Sequence, residues 1–247
     1  MNWVFFTLGA VVLQTFRNAL QSKLSANMST SGVTLSRFFF APPIALSYLT
    51  LLYSFSNQII PEFPLKFIFL VVVASVLQVF ATALMVILFK QKNFSVGAGL
   101  AKSEALVAGV LGTLFFGSQL SLFGWIRIVV GATAIFVLSG GGRKGQLSLK
   151  TVVIGLACGT CFALTSLFVR QASQSLNVPF PHNAAWVLLW VLCIQTTLLV
   201  SYIAVKSRST FLTLKSNLQR VFITSVIGCL GTICWFSAMS LQHVAYV

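Results

Sequence analysis

The sequence predicts an all-α integral membrane protein: a polytopic bundle of about eight transmembrane helices, arranged as an inverted five-helix repeat whose second copy is incomplete. Three observations carry this reading. The first 148 residues hold five long apolar segments, and the same order of segments then restarts. Gly9-Ala10-Val11-Val12-Leu13-Gln14-Thr15-Phe16 falls against Gly155-Leu156-Ala157-Cys158-Gly159-Thr160-Cys161-Phe162 at an offset of 146 residues, and Asn93-Phe94-Ser95-Val96 against Gln242-His243-Val244-Ala245 at 149. Composition is the second observation. The chain is 57% hydrophobic and 7% charged with 23 Phe, at a mean hydropathy of +0.96, whereas soluble domains are about 25% charged. Parity is the third: a unit of five helices is odd, so its copy enters the bilayer upside down, as in many transport folds. Residues 1–148 form the first repeat and 149–247 the second.

The spans follow in order. Span 1, Asn2–Leu20, has no basic residue before Arg17, so it does not read as a cleaved leader. Span 2, Val33–Tyr53, stops before the turn residues Asn57, Pro61 and Pro64, and span 3 runs Leu65–Phe89. Span 4, Ser95–Phe116, and span 5, Leu120–Leu138, are joined by a short link, and Ser139 to Gly142 end span 5. Span 6, Thr151–Val169, is separated by Pro179 and Pro181 from span 7, Ala184–Val205; span 8 is Val221–Leu241. Each approaches the roughly 20 residues that cross a hydrocarbon core. None alternates with period two, which argues against a membrane barrel.

The formal charge of +14 comes from 16 Lys and Arg against two acids, Glu62 and Glu104. Most of these bases sit between spans, where headgroup contact and topology explain them better than nucleic acid does. The links after spans 1, 3, 5 and 7 hold Lys23, Lys90, Lys92, Arg143, Lys144, Lys150, Lys206, Arg208, Lys215 and Arg220. Those after spans 2, 4 and 6 hold only Lys66 and Arg170. The positive-inside rule therefore places the N-terminus outside the cytoplasm.

Polar residues inside the spans are the candidates for function, because a charge at mid-bilayer costs at least about 2.5–3.5 kcal/mol unless it is paired or hydrated. Glu104 lies about nine residues into span 4, so about 13 Å deep. Two readings stand: a structural ion pair with Arg127 of span 5, or a substrate- or proton-binding group. Lys102, on nearly the opposite side of the same helix, joins that site or snorkels to the interface. In span 1, Gln14, Arg17, Asn18 and Gln21 share one helix face, which lipid does not satisfy. This face lines a cavity or, if the helix ends by Asn18, lies at the interface. Arg37 of span 2 enters from the same side and either joins this stripe or, as the plainer reading, snorkels to the interface. Gln78 and Trp235 are further cavity candidates, with packing as the plainer reading. The basic, amide-rich character of the set favours anionic or zwitterionic solutes. Gly97, Ala101, Ala105 and Gly109, and the pair Gly155 and Gly159, are small-residue stripes that let helices approach closely.

Catalytic patterns are sparse. The five cysteines fall inside spans and form no disulfide framework, and Cys158-x-x-Cys161 lacks the strand–helix context of a redox motif. His182 lies in a loop and His243 near the chain's end, with no metal partners close in sequence. No phosphate loop, Ser/His/Asp set or cofactor motif is present in the sequence, so neither an ATP-driven pump nor an enzyme is expected from it.

Residues Ser95 to Leu138 resemble the fourth and fifth helices of an EamA-type repeat of the drug/metabolite transporter superfamily. The matching residues are Ala105-Leu106-Val107-Ala108-Gly109-Val110-Leu111-Gly112-Thr113-Leu114-Phe115-Phe116-Gly117, then Leu120-Ser121, Gly124-Trp125 and Gly131. The chain departs from the family pattern at Lys102-Ser103-Glu104-Ala105, where a proline is common, and at Ser118, where a Glu is common. It also lacks the counterparts of helices 9 and 10, so it is expected to be a truncated product that leaves an apolar flank open and does not transport alone. The resemblance implies a secondary transporter, a permease for a small metabolite or drug-like compound, in a bacterial inner membrane with lipids as its surroundings. The alternative is a membrane-embedded enzyme or channel-like protein acting on a lipid-soluble substrate.

Overall fold

The computed structural model describes residues 2–90, 104–115, 121–138, 149–242 and 244, without the side chains of residues 2, 127, 132 and 134–138. In chain order its helices are α1 Asn2–Ser25, α2 Thr30–Phe38, α3 Ala41–Ser54, α4 Leu65–Lys90, α5 Glu104–Phe115, α6 Leu122–Leu138, α7 Leu149–Gln174, α8 His182–Lys206, α9 Ser209–Ser216 and α10 Leu218–Leu241. Six units are long and apolar enough to cross a membrane: α1, α2 with α3, α4, α7, α8 and α10. The chain is a multi-pass integral membrane protein. Large apolar side chains point outward from the bundle, as Phe5 at 76% and Phe16 at 61% exposure illustrate, which suits a lipid surround rather than water.

Two expected spans are described only in part. Spans 4 and 5 correspond to α5 and α6, of 12 and 17 residues, and residues 95–103 of span 4 lie outside the described residues. The expected count of eight full crossings is thus represented by six among the described residues. Helix α1 runs five residues beyond its predicted end, to Ser25, so the Gln14–Gln21 stripe is helical throughout. The basic link after span 7 also contains a short helix, α9, which buries Thr210 and Leu214.

Span 2 is broken, and proline explains the break. Pro42 and Pro43 open α3, and neither can donate the backbone bond that would continue α2 through Phe39 and Phe40. Neighbouring hydroxyls satisfy the groups thus exposed. Thr196 Oγ1 donates to the Phe38 carbonyl at 3.0 Å, Ser225 Oγ to the Ser36 carbonyl at 2.7 Å, and the Phe40 N–H donates to Ser225 Oγ at 3.2 Å. A broken helix is tolerated at membrane depth only where protein or a cavity replaces these bonds.

Packing pairs α1 with α10 and α4 with α7, while α3 lies on α8. The main core is formed by residues such as Phe38, Phe67, Val71, Leu188, Leu192 and Phe236. Close approach of α1 and α10 depends on small residues: a Cβ at Gly231 would meet Leu13 Cβ at 3.3 Å, and one at Gly9 would meet Cys234 Sγ at 3.4 Å. Lys90 Nζ donates to the Met28 carbonyl at 2.8 Å, and Ser29 shares a hydroxyl contact with Thr210 at 3.3 Å. These contacts gather Lys23, Lys90, Lys206, Arg208, Lys215 and Arg220 at one end of the bundle. At the opposite end His182, expected in a loop, starts α8 as a buried residue and bonds Ser56 at 2.7 Å. Arg170, expected in the link after span 6, lies within α7; its Nη1 donates to the carbonyls of Met239 (2.8 Å) and Gln242. It thereby satisfies carbonyls that the end of α10 leaves open.

Candidate functional site

A cavity of about 70 Å³ sits inside the bundle, walled by α1, α2, α4, α5, α7 and α10. It is lined by Gln14, Arg17, Asn18, Arg37, Gln78, Met85, Glu104, Phe162, Thr165, Ser166, Trp235 and Phe236. Gln14 stands near the middle of α1, about 17 Å from either end at 1.5 Å per residue, so the cavity is at membrane depth. Seven of the residues picked out in the sequence meet here: Gln14, Arg17, Asn18, Arg37, Gln78, Glu104 and Trp235.

The helical spacing of span 1 aims the first three. Arg17 Nε and Nη2 both donate to Asn18 Oδ1, at 3.2 and 2.8 Å, which fixes the guanidinium along the helix. Gln21 continues the stripe one turn further, where α2 covers it. It is fully buried and its Nε2 donates to the Val33 carbonyl at 3.3 Å, so it ties α1 to α2 instead of lining the cavity. Arg37 occupies the last turn of α2, beside the proline break. Its Nη1 donates to Thr82 Oγ1 at 2.9 Å, its guanidinium stands 5.0 Å over the Phe38 ring, and its buried Nε has no partner among the described residues.

Glycine brings the two arginines together. A Cβ at Gly228 of α10 would meet Arg17 Cδ, Arg37 Cγ and the Arg37 carbonyl, each at 3.4 Å. Both stems therefore lie against one bare stretch of α10. Arg17 and Arg37 are 3% and 4% exposed, and each interacts electrostatically with Glu104.

Glu104 begins α5 and is held from α7, which packs against α5. Ser166 Oγ donates to Glu104 Oε1 at 3.0 Å, and Trp235 Nε1 donates to the same Ser166 oxygen at 3.3 Å. An indole N–H, a hydroxyl and a carboxylate thus form a chain through α10, α7 and α5. On the far wall, Gln195 Nε2 bonds Gln78 Oε1 at 2.6 Å. Lys102 and the Arg127 side chain lie outside the described residues, and with them the expected Glu104–Arg127 pair.

Sequence reasoning missed Ser166, Thr165, Phe162, Met85 and Phe236. Serine and threonine are tolerated anywhere in a span by bonding their own helix, so type alone does not single them out. Gln195, fully buried in α8, carried the same signal as Gln78. Among the described residues no group of three or more His, Cys, Asp or Glu side chains is placed to hold a metal ion. The buried Cys158 thiol donates to the Ala81 carbonyl at 3.2 Å, across the α4–α7 contact.

The lining has donors, acceptors and charge of both signs, closed by Met85, Phe162 and Phe236. Its volume suits a few waters or one small polar group, below the usual 300–1,000 Å³ of a ligand pocket. Neither a protein-family model nor a curated protein matches this chain.

Proposed function

We propose that this chain is a secondary transporter, an EamA-type permease of the drug/metabolite transporter superfamily, and that the cavity is its solute site. One observation carries the reading. Two arginines and a glutamate from three helices converge at membrane depth, beside a helix broken by prolines. Ionisable groups are kept inside a membrane where they face a pathway or a partner, and discontinuous helices form the midplane sites of secondary transporters. In this reading Glu104 binds the coupling proton or orients the solute, and the stripe of Gln14, Arg17 and Asn18 faces it.

The inverted repeat is supported by the packing pattern. Exchanging the first three spans with α7, α8 and α10 turns the α1–α10 contact into the α7–α4 contact. The same exchange turns the α2–α10 contact into the α8–α4 contact and leaves the α3–α8 contact in place. Such exchange is expected of a two-fold axis, and an odd number of spans per repeat would put that axis in the membrane plane. The gathering of bases at one end supports a cytoplasmic position for that end and an external N-terminus, in a bacterial inner membrane.

Flux into proteoliposomes, set beside lipid turnover in the same preparation, tests the reading. In a protein that holds both repeats entire, saturable pH-gradient-driven uptake is expected, lost in Glu104→Gln while exchange persists. Lipid turnover without uptake would favour the membrane-enzyme alternative.

A further inference from the structure

We infer that the cavity is an oxyanion site, in which a carboxylate or phosphate group of the solute is held between Arg17 and Arg37; calling that ligand a transported solute rests on the transport reading above. Charge is the first argument. Among the described lining side chains two are cations, Arg17 and Arg37, and one is an acid, Glu104. Both arginines are almost wholly buried, and buried charge is tolerated when it is matched. One carboxylate matches one guanidinium, so the set is complementary to an incoming negative group.

Geometry is the second. The bare backbone at Gly228 lets both arginine stems lie side by side. Two like charges brought together repel unless something of opposite sign belongs between them. The third argument is the unpartnered donor. Arg37 lines the cavity, and its buried Nε has no hydrogen-bond acceptor among the described residues while its Nη1 is held by Thr82. A guanidinium offers its donors as a fork that fits the oxygens of a carboxylate or phosphate. Size is the fourth. A space of about 70 Å³ takes a group of a few heavy atoms, so what it receives is the charged end of a solute. A cationic group in the same place would face two guanidiniums.

The test is thermal unfolding of the detergent-purified protein with sodium acetate, sodium phosphate, acetamide or tetramethylammonium chloride, at ionic strength balanced with sodium chloride. Acetamide is the neutral counterpart of acetate. We expect a saturable rise in Tm of about 2–4 °C with acetate or phosphate, and none with acetamide or the cation. The anion giving the larger rise distinguishes a carboxylate from a phosphate solute. Arg17→Gln and Arg37→Gln, checked for retained helicity, should each weaken the anion response about tenfold, with Arg37→Lys falling between. Glu104→Gln should strengthen it about tenfold, an arm that stands even where an arginine variant fails to fold. Equal responses to acetate and acetamide, or anion responses unchanged in all three Gln variants, would overturn the inference. An anion response in this chain, with no flux from a protein that holds both repeats entire, supports the site and counts against transport. Flux of a cationic compound with no anion response overturns the site and leaves transport standing.

Discussion

Ser166 of α7 donates a 3.0 Å hydrogen bond to the carboxylate of Glu104 on α5, and so holds the acid in the same cavity lining as the arginines of α1 and α2. The same hydroxyl accepts from Trp235 of α10, so one serine joins three walls. A bond to a charged acceptor is worth about 1.5–3 kcal/mol, and one between neutral groups about 1. Ser166→Ala should therefore lower Tm more than Trp235→Phe, which loses the neutral bond and part of the ring of a partly exposed indole but leaves the Ser166–Glu104 bond in place. Thermal unfolding of the two variants checks the order, and the reverse ranking would mean that the indole, not the hydroxyl, organises the site.

Glu104→Gln keeps the shape of the side chain and removes its charge. If Glu104 is the coupling group, the variant should fold and exchange solute across the membrane while losing at least about tenfold in uptake driven by a pH gradient. Exchange and gradient-driven uptake are measured in the same vesicles. Coupled uptake at the wild-type rate would sink the coupling role.

Gly228 tests how tightly the arginine stems are held. An added Cβ would stand 3.4 Å from Arg17 Cδ and Arg37 Cγ, which is ordinary contact, so Gly228→Ala should change stability by less than about 1 kcal/mol. Gly228→Leu places a branched side chain where both stems lie. Overpacking costs about 1–3 kcal/mol, and displacement of the arginines should abolish the acetate response. A Leu variant with wild-type Tm and wild-type anion response would show that the stems are free to move aside.

Thr196 tests the helix break. Its hydroxyl satisfies the Phe38 carbonyl, which Pro42 leaves open, and an unsatisfied buried acceptor costs about 1–3 kcal/mol. Thr196→Val should lose that much in denaturant unfolding. Thr232→Val is the control. The Thr232 hydroxyl bonds back to the Gly228 carbonyl one turn away in its own helix, so its loss should be milder. Equal losses would argue that the break needs no outside donor.

Much of the fold was legible because a bilayer writes its demands as long apolar runs. Spans 1, 3, 6, 7 and 8 correspond to α1, α4, α7, α8 and α10 with small changes at their ends. Span 2 was read as continuous, although Pro42 and Pro43 stand inside it. The hydropathy of a run does not register a missing backbone donor; only the proline chemistry does. Within the site, Glu104, Arg17 and Arg37 were legible because lipid excludes charge, and Gln14 and Gln78 because it excludes amides. Gln21 obeys the same rule yet serves α2 instead, since periodicity gives the face of a helix but not what packs there. Ser166 was illegible for the opposite reason: its hydroxyl looks like any small polar group in a span until Glu104 is placed beside it.

If the charged cavity is the solute site of a secondary transporter, it opens in turn to the two sides of the membrane. The most direct measurement places a single cysteine at Gln14, in a background where the five native cysteines are replaced. A membrane-impermeant maleimide is then applied to right-side-out and to inside-out vesicles. Labelling from both faces is expected, with the balance between them shifting when acetate or phosphate is added. Labelling from one face only, unchanged under every ligand and pH gradient, would contradict it.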